Sequence, residues 1–149
     1  PITARSEHAY RVDWYEPPLG LDAAVFVPTT DMRFRNDDAW PILIMTRVDE
    51  ATGTLAFAFY GRSSGREVTM VGPTVEGTHQ PGDPVEEIDA SLAAGTRILA
   101  ERAREGLDVR IVRIVEQDGE IISEDEFPSR YRAWPARYRV GPSPDTSAP

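Results

Sequence analysis

Asp83-Pro-Val-Glu-Glu-Ile-Asp-Ala-Ser-Leu-Ala-Ala-Gly-Thr-Arg-Ile-Leu-Ala-Glu-Arg-Ala-Arg-Glu-Gly106 is the stretch on which the fold turns. It carries the punctuation of a helix. Asp83 stands at the N-cap, Pro84 at the first helical position, and Glu86 completes a capping box. Val85, Ile88, Leu92, Leu99 and Ala103 recur at helical spacing, which predicts one apolar stripe. Acids fill the first turn and Arg102 and Arg104 the last, as the helix dipole favours, and Gly106 supplies a left-handed stop. The spacing therefore predicts a long helix over 84–105.

On either side the pattern changes to β. Ile42-Leu43-Ile44-Met45 is apolar on both faces, as in a central strand, and Asp49–Gly53 offers a hairpin turn. Leu55, Phe57 and Phe59 then alternate with Ala56, Ala58 and Tyr60. Gly61–Gly65 turns the chain again before Val68 and Met70, predicting a three-stranded meander over 42–72. Val109–Val115, the turn Gln117–Glu120 and Ile121-Ile122 predict a hairpin over 109–123. Nearer the start, Tyr10, Val12 and Trp14 alternate with Arg11 and Asp13 across 8–15, and Ala23–Val27 makes a short strand, with Met32 and Phe34 a further brief one. The expected architecture is α+β: a mainly antiparallel sheet with the 84–105 helix packed on one face.

At 149 residues the chain suits one globular domain, taken as 1–140, with a polar tail over 141–149. No apolar run reaches the roughly 20 residues that span a bilayer, and the first residues lack a signal-peptide layout, so the expected location is cytoplasmic. The absence of cysteine excludes disulfides, thiolate nucleophiles and cysteine-ligated metals. All 16 basic residues are arginine, which excludes Schiff-base and P-loop lysines. With abundant Ala, Gly and Pro, this bias reads as the mark of a GC-rich, bacterial genome. A net charge of −9 argues against general nucleic-acid binding, which relies on cations that release counterions.

Candidate chemistry is sparse. His8 and His79 are the only histidines, and neither sits in a metal-ligand pattern, so no metal or cofactor is expected. Gly61-Arg-Ser-Ser-Gly65 combines glycines, hydroxyls and an arginine, but no helix follows to hold an anion. The adjacent carboxylates, such as Glu86-Glu87 and Glu124-Asp125-Glu126, fit solvated or capping roles better than an acid–base pair across a cleft.

The strongest signal lies at 127–140, where Arg-Tyr-Arg occurs twice. Arg130, Tyr131 and Arg132, then Trp134, then Arg137, Tyr138 and Arg139 put four cations and three aromatics within ten residues. Guanidinium groups stack on rings and grip carboxylates bidentately, and both residue types are enriched at interface hot spots. The arm follows the acid-rich 116–126 stretch, so docking on its own domain is an equal expectation.

The expected function is that of a non-catalytic interaction protein using this arm, with a protein partner or a second copy of the chain. Accessory-subunit, inhibitor or immunity-type, and phage structural or adaptor roles all fit this class. The alternative is a small-ligand protein or enzyme with a cleft between helix and sheet. Its polar wall would be the 71–84 loop, with Glu76, Thr78, His79 and Asp83.

Overall fold

The structure, a computed structural model, describes residues 1–11 and 19–143. Its strands are β1 Ile2–Ala4, β2 Arg33–Phe34, β3 Leu43–Asp49, β4 Thr54–Tyr60, β5 Arg66–His79, β6 Val85–Ile88, β7 Arg97–Glu101, β8 Gly106–Gln117, β9 Glu120–Tyr131 and β10 Arg137–Val140. No helix forms among the described residues, so the α+β expectation is overturned: the fold is all-β. Equally, no described helix is long and apolar enough to cross a membrane.

The strands form four small sheets. β1 pairs with β2, and β3 with β4; β8 lies between β5 and β9, and β10 between β6 and β7. All pairings are antiparallel except β10 with β6, which is parallel. The expected meander is therefore cut short. β3 and β4 form the predicted hairpin in regular register, but β5 leaves it and pairs with β8, some forty residues further along the chain. The 109–123 hairpin is present and longer than its pattern implied, β8 and β9 pairing from Leu107↔Tyr131 to Gln117↔Glu120.

The predicted helix becomes two strands with a turn between them, for identifiable reasons. Val85, Ile88, Thr96 and Ile98 are β-branched, and such residues lose side-chain freedom in a helix and fit a pleated surface well. Gly95 has φ +75°, a left-handed conformation that ends any helix running through it. Asp89 folds the chain locally, its carboxylate accepting the Ser91 backbone N–H (2.9 Å) and hydroxyl (2.6 Å).

The acids that resembled a helix cap instead meet arginines across strands. Glu86 pairs with Arg97 (2.8 Å), Glu87 with Arg137 (2.6 Å) and Asp89 with Arg139. Pairing with Arg137–Val140, about fifty residues away, prevails over local helix propensity. Asp83 caps no helix.

The core is narrow and belongs to the long sheet. Leu107, Val109, Ile111 and Val115 alternate along β8 toward one face, and with Tyr131 of β9 they are the buried large side chains among the described residues. Leu19 packs over this row. The second half of the expected strand over 8–15, residues 12–15, lies outside the described residues, and 8–11 form no strand. Of the expected 23–27 strand there is one bridge, Phe26 to Thr30, whereas the brief strand near Phe34 appears as β2. The polar tail lies outside the described residues from 144 onward.

Candidate functional site

The two Arg-Tyr-Arg copies do different work. The first ends β9. Tyr131 points inward, 2% exposed, and its hydroxyl donates to the Asp22 carboxylate while accepting the Gly20 backbone N–H (3.1 Å). Arg130 and Arg132 flank it with exposed side chains. Arg130 reaches Asp108 at 3.6 Å, and its backbone N–H donates to Glu7 (3.2 Å), while the Arg132 backbone N–H donates to the Ala9 carbonyl (2.8 Å).

The second copy is the middle strand of the β6–β10–β7 sheet. Arg137 pairs with Glu87 (2.6 Å) and lies 3.8 Å from Glu101, while Arg139 pairs with Asp89. Arg97 stacks over the Tyr138 ring, 3.2 Å from its centroid. Between the copies, Trp134 exchanges backbone hydrogen bonds with Arg104, and its indole N–H donates to Glu101 (2.6 Å). Its ring meets Tyr10 edge-on at 4.5 Å. This segment thus docks on its own chain, against 85–101 rather than against the acid-rich 116–126. There Asp125 pairs with Arg113 (2.7 Å) and Glu126 with Arg110 (3.1 Å).

A polar clamp ties the N-terminal segment to the long sheet. Arg5 donates to the carbonyls of Asp22 and Gly20 (2.8 Å each) and to the Ser129 hydroxyl (3.0 Å). Asp22 receives the Tyr131 hydroxyl, the His8 backbone N–H and the His8 Nδ1 (2.8 Å each for the last two). Burial pushes the Asp22 carboxyl up, but the hydrogen bonds from Tyr131 and His8, together with the Arg5 charge, hold it below its ordinary 3.8. Tyr131 is pushed up to about 12, first by burial and then by the Asp22 carboxylate. Every group in this cluster satisfies another. Such an arrangement fixes geometry. Sequence reasoning missed it because its members come from three distant segments, with no spacing to mark them.

Of the alternative ligand residues, Glu76, Thr78 and His79 stand on a strand rather than a loop, since β5 runs through His79. Glu76 is held by Arg110 (2.5 Å) and His79 Nε2 by Asp108 (2.8 Å), while Asp83 lies exposed beyond the strand. With no helix over 84–105, the expected helix–sheet cleft does not form. A groove of about 620 Å³ does run along the N-terminal segment and β9, lined among others by Thr3, Glu7, Glu76, Asp108, Glu126 and Arg130. It brings Glu76 close to the clamp; Thr78, His79 and Asp83 are not part of its wall. Among the described residues, no group of three or more His, Asp or Glu side chains is arranged to hold a metal ion. In the Gly61–Gly65 loop Arg62 lies over the Trp40 ring at 4.9 Å, and just after it Arg66, the first residue of β5, pairs with Asp37 (2.8 Å).

The feature that sequence reading located but misjudged is the β3–β4 hairpin. A strand apolar on both faces was expected at the centre of a sheet. Instead Leu43, Met45, Val48, Leu55, Phe57 and Phe59 are 53–67% exposed. Among the described residues, both strands pair only with each other. Phe34 touches Phe59 edge-on at 6.3 Å and covers only one end of one face.

Comparison with known proteins bears on the same region. Residues 1–60, which end at the last residue of β4, match the family described as VanW like protein. No curated protein matches the chain. Among solved structures, the IgA1 protease G5 domain is similar over 72% of this chain and 96% of that one, at 16% identity and a TM-score of 0.31. HP0197-G5 is similar over 51% of this chain and 95% of that one, at 17% identity and a TM-score of 0.26.

Proposed function

We propose that the chain is a non-catalytic protein-binding module and that the β3–β4 hairpin is its contact surface. The observation that carries this reading is a regular two-stranded hairpin with apolar residues on both faces and more than half of most of those side chains in water. Contiguous uncovered patches of this kind mark surfaces that meet another molecule, and an unpaired strand edge beside them suits a polypeptide. The hairpin lies inside the segment that matches the VanW like family.

The polar clusters support the same division of labour. The clamp around Asp22 and the pairs along β10 already satisfy their own charges, which suits a scaffold. Arg130 near the end of β9 and Arg132 just beyond it have exposed side chains and would add a second, charged contact.

Native mass spectrometry after affinity purification tests the reading. A stoichiometric polypeptide partner, whether another protein or a second copy, is the expected result, and it should be lost in Phe57→Glu while circular dichroism stays β-like. A small molecule retained by a chain without any polypeptide partner would overturn the proposal and favour the groove along the N-terminal segment.

A further inference from the structure

We infer that the hairpin's partner is a second copy of this chain, joined edge to edge through β4 in an antiparallel pairing centred on Phe57. The inference rests on the protein-binding reading and names the partner.

The first argument is the state of the edge. Exposed strand edges in soluble proteins are usually guarded by a charge, a proline, a bulge or a covering loop. β4, Thr54-Leu-Ala-Phe-Ala-Phe-Tyr60, has no charge and no proline, and its register with β3 is free of bulges. Among the described residues it pairs with β3 alone, and none of them puts a strand along its outer row of backbone N–H and carbonyl groups. β3 is better guarded, since it carries Arg47 and Asp49. Of the two edges, β4 is the one open to addition.

The second argument is self-complementarity. A two-fold axis at Phe57 sets Leu55 opposite the second copy's Phe59, Phe57 opposite its counterpart, and Ala56 opposite Ala58. Directly opposed residues in an antiparallel pair share a face, so the Leu55, Phe57 and Phe59 rows of the two copies merge into one apolar stripe. No charged residue of β4 opposes another, because there are none. A two-fold interface demands this kind of match between a surface and itself.

The third argument is area. Leu55, Phe57 and Phe59 are 56–59% exposed in one chain, and pairing brings each against its opposite number in the second copy, which removes apolar surface from water along that row. Pairing would make a four-stranded sheet from two exposed ribbons.

Sedimentation of the full chain from low micromolar to several hundred micromolar should show a reversible monomer–dimer equilibrium. Phe57→Glu and Phe57→Lys should each remain monomeric at tenfold higher concentration, since each sets like charges together on the axis. Mixing the two variants should restore dimers, because glutamate then faces lysine. The chain has no cysteine, so single substitutions report register cleanly. Phe57→Cys should cross-link to itself under mild oxidation at least tenfold faster than Ser63→Cys. Leu55→Cys should cross-link with Phe59→Cys rather than with itself.

Wild-type protein that sediments as a monomer throughout overturns the inference. So does cross-linking at position 57 no faster than at 63, or a failure of the charge-swapped pair to associate. A monomer that captures a different polypeptide through the hairpin would leave the protein-binding reading standing and sink this one.

Discussion

Strand β8 and the hairpin β3–β4 look alike in the sequence and behave in opposite ways. Both are apolar on two faces and rich in Val, Ile and Leu. In β8, Val109 and Ile111 are each 2% exposed, because β5 and β9 flank the strand and the N-terminal segment closes over it. In the hairpin, Phe57 and Phe59 are each 59% exposed, because among the described residues neither strand pairs with a third and Phe34 meets only the edge of the Phe59 ring. Hydrophobic pattern tells which surfaces avoid water. It does not tell what covers them. That depends on contacts far apart in the chain, and the contrast between the two regions is open to direct test.

The largest effect is expected at the centre of β8. Ile111→Ala should lower stability by about 2–5 kcal/mol in urea melts, since a buried isoleucine loses its transfer energy and leaves a cavity. A loss under about 1 kcal/mol would mean that the long sheet has no real core and that the two regions do not differ.

The clamp comes next. Asp22→Ala should cost about 3 kcal/mol, because it strips partners from the buried Tyr131 hydroxyl and from Arg5. The pH dependence carries a sign. A carboxyl held below its ordinary value contributes stability that is fully present above 3.8 and is lost as pH falls through the lower folded value. Wild-type protein should therefore lose stability on acidification below about pH 4. Asp22→Asn should lose less over the same range.

Tyr131 tests the same cluster from the alkaline side. Its folded value of about 12 lies above the ordinary 10, so its contribution is complete below pH 10 and disappears as pH rises toward 12. Integrated over that window, the loss is about 2 kcal/mol. Denaturant midpoints measured at pH 9 and pH 11.5 should show it in the wild type and a smaller drop in Tyr131→Phe.

What the sequence disclosed follows the range of the interactions involved. The β3–β4 and β8–β9 hairpins were legible because a short turn joins their strands and alternation marks both sides. The 83–106 stretch misled because its local signals, Asp83-Pro84 and Glu86, are those of a helix, whereas its partner is the distant Arg137–Val140. Gly95 and the β-branched Val85, Ile88, Thr96 and Ile98 were the contrary evidence. The doubled Arg-Tyr-Arg was visible as a motif, but its division between a buried clamp and a sheet strand was not. Tyr131 and Asp22 are 109 residues apart, and no periodicity links them.

The smallest effect is expected where the sequence looks most like a core. Phe57→Ser, measured at low protein concentration, should change stability by less than about 1 kcal/mol, the range of a single cross-strand pair on an exposed sheet face. Thr46 is its neighbour across the hairpin, and the ring is already more than half in water, so little is lost with it. The concentration dependence should behave differently. If two copies pair through β4, association stabilises the wild type as protein concentration rises, by mass action on the folded state. Its melting temperature should then climb over a hundredfold increase in concentration, while that of Phe57→Ser stays flat. A large loss at low concentration would show that the ring is covered within one chain, and the contrast with β8 would vanish. A melting temperature flat for both proteins would leave the hairpin exposed and without a second copy of itself as partner.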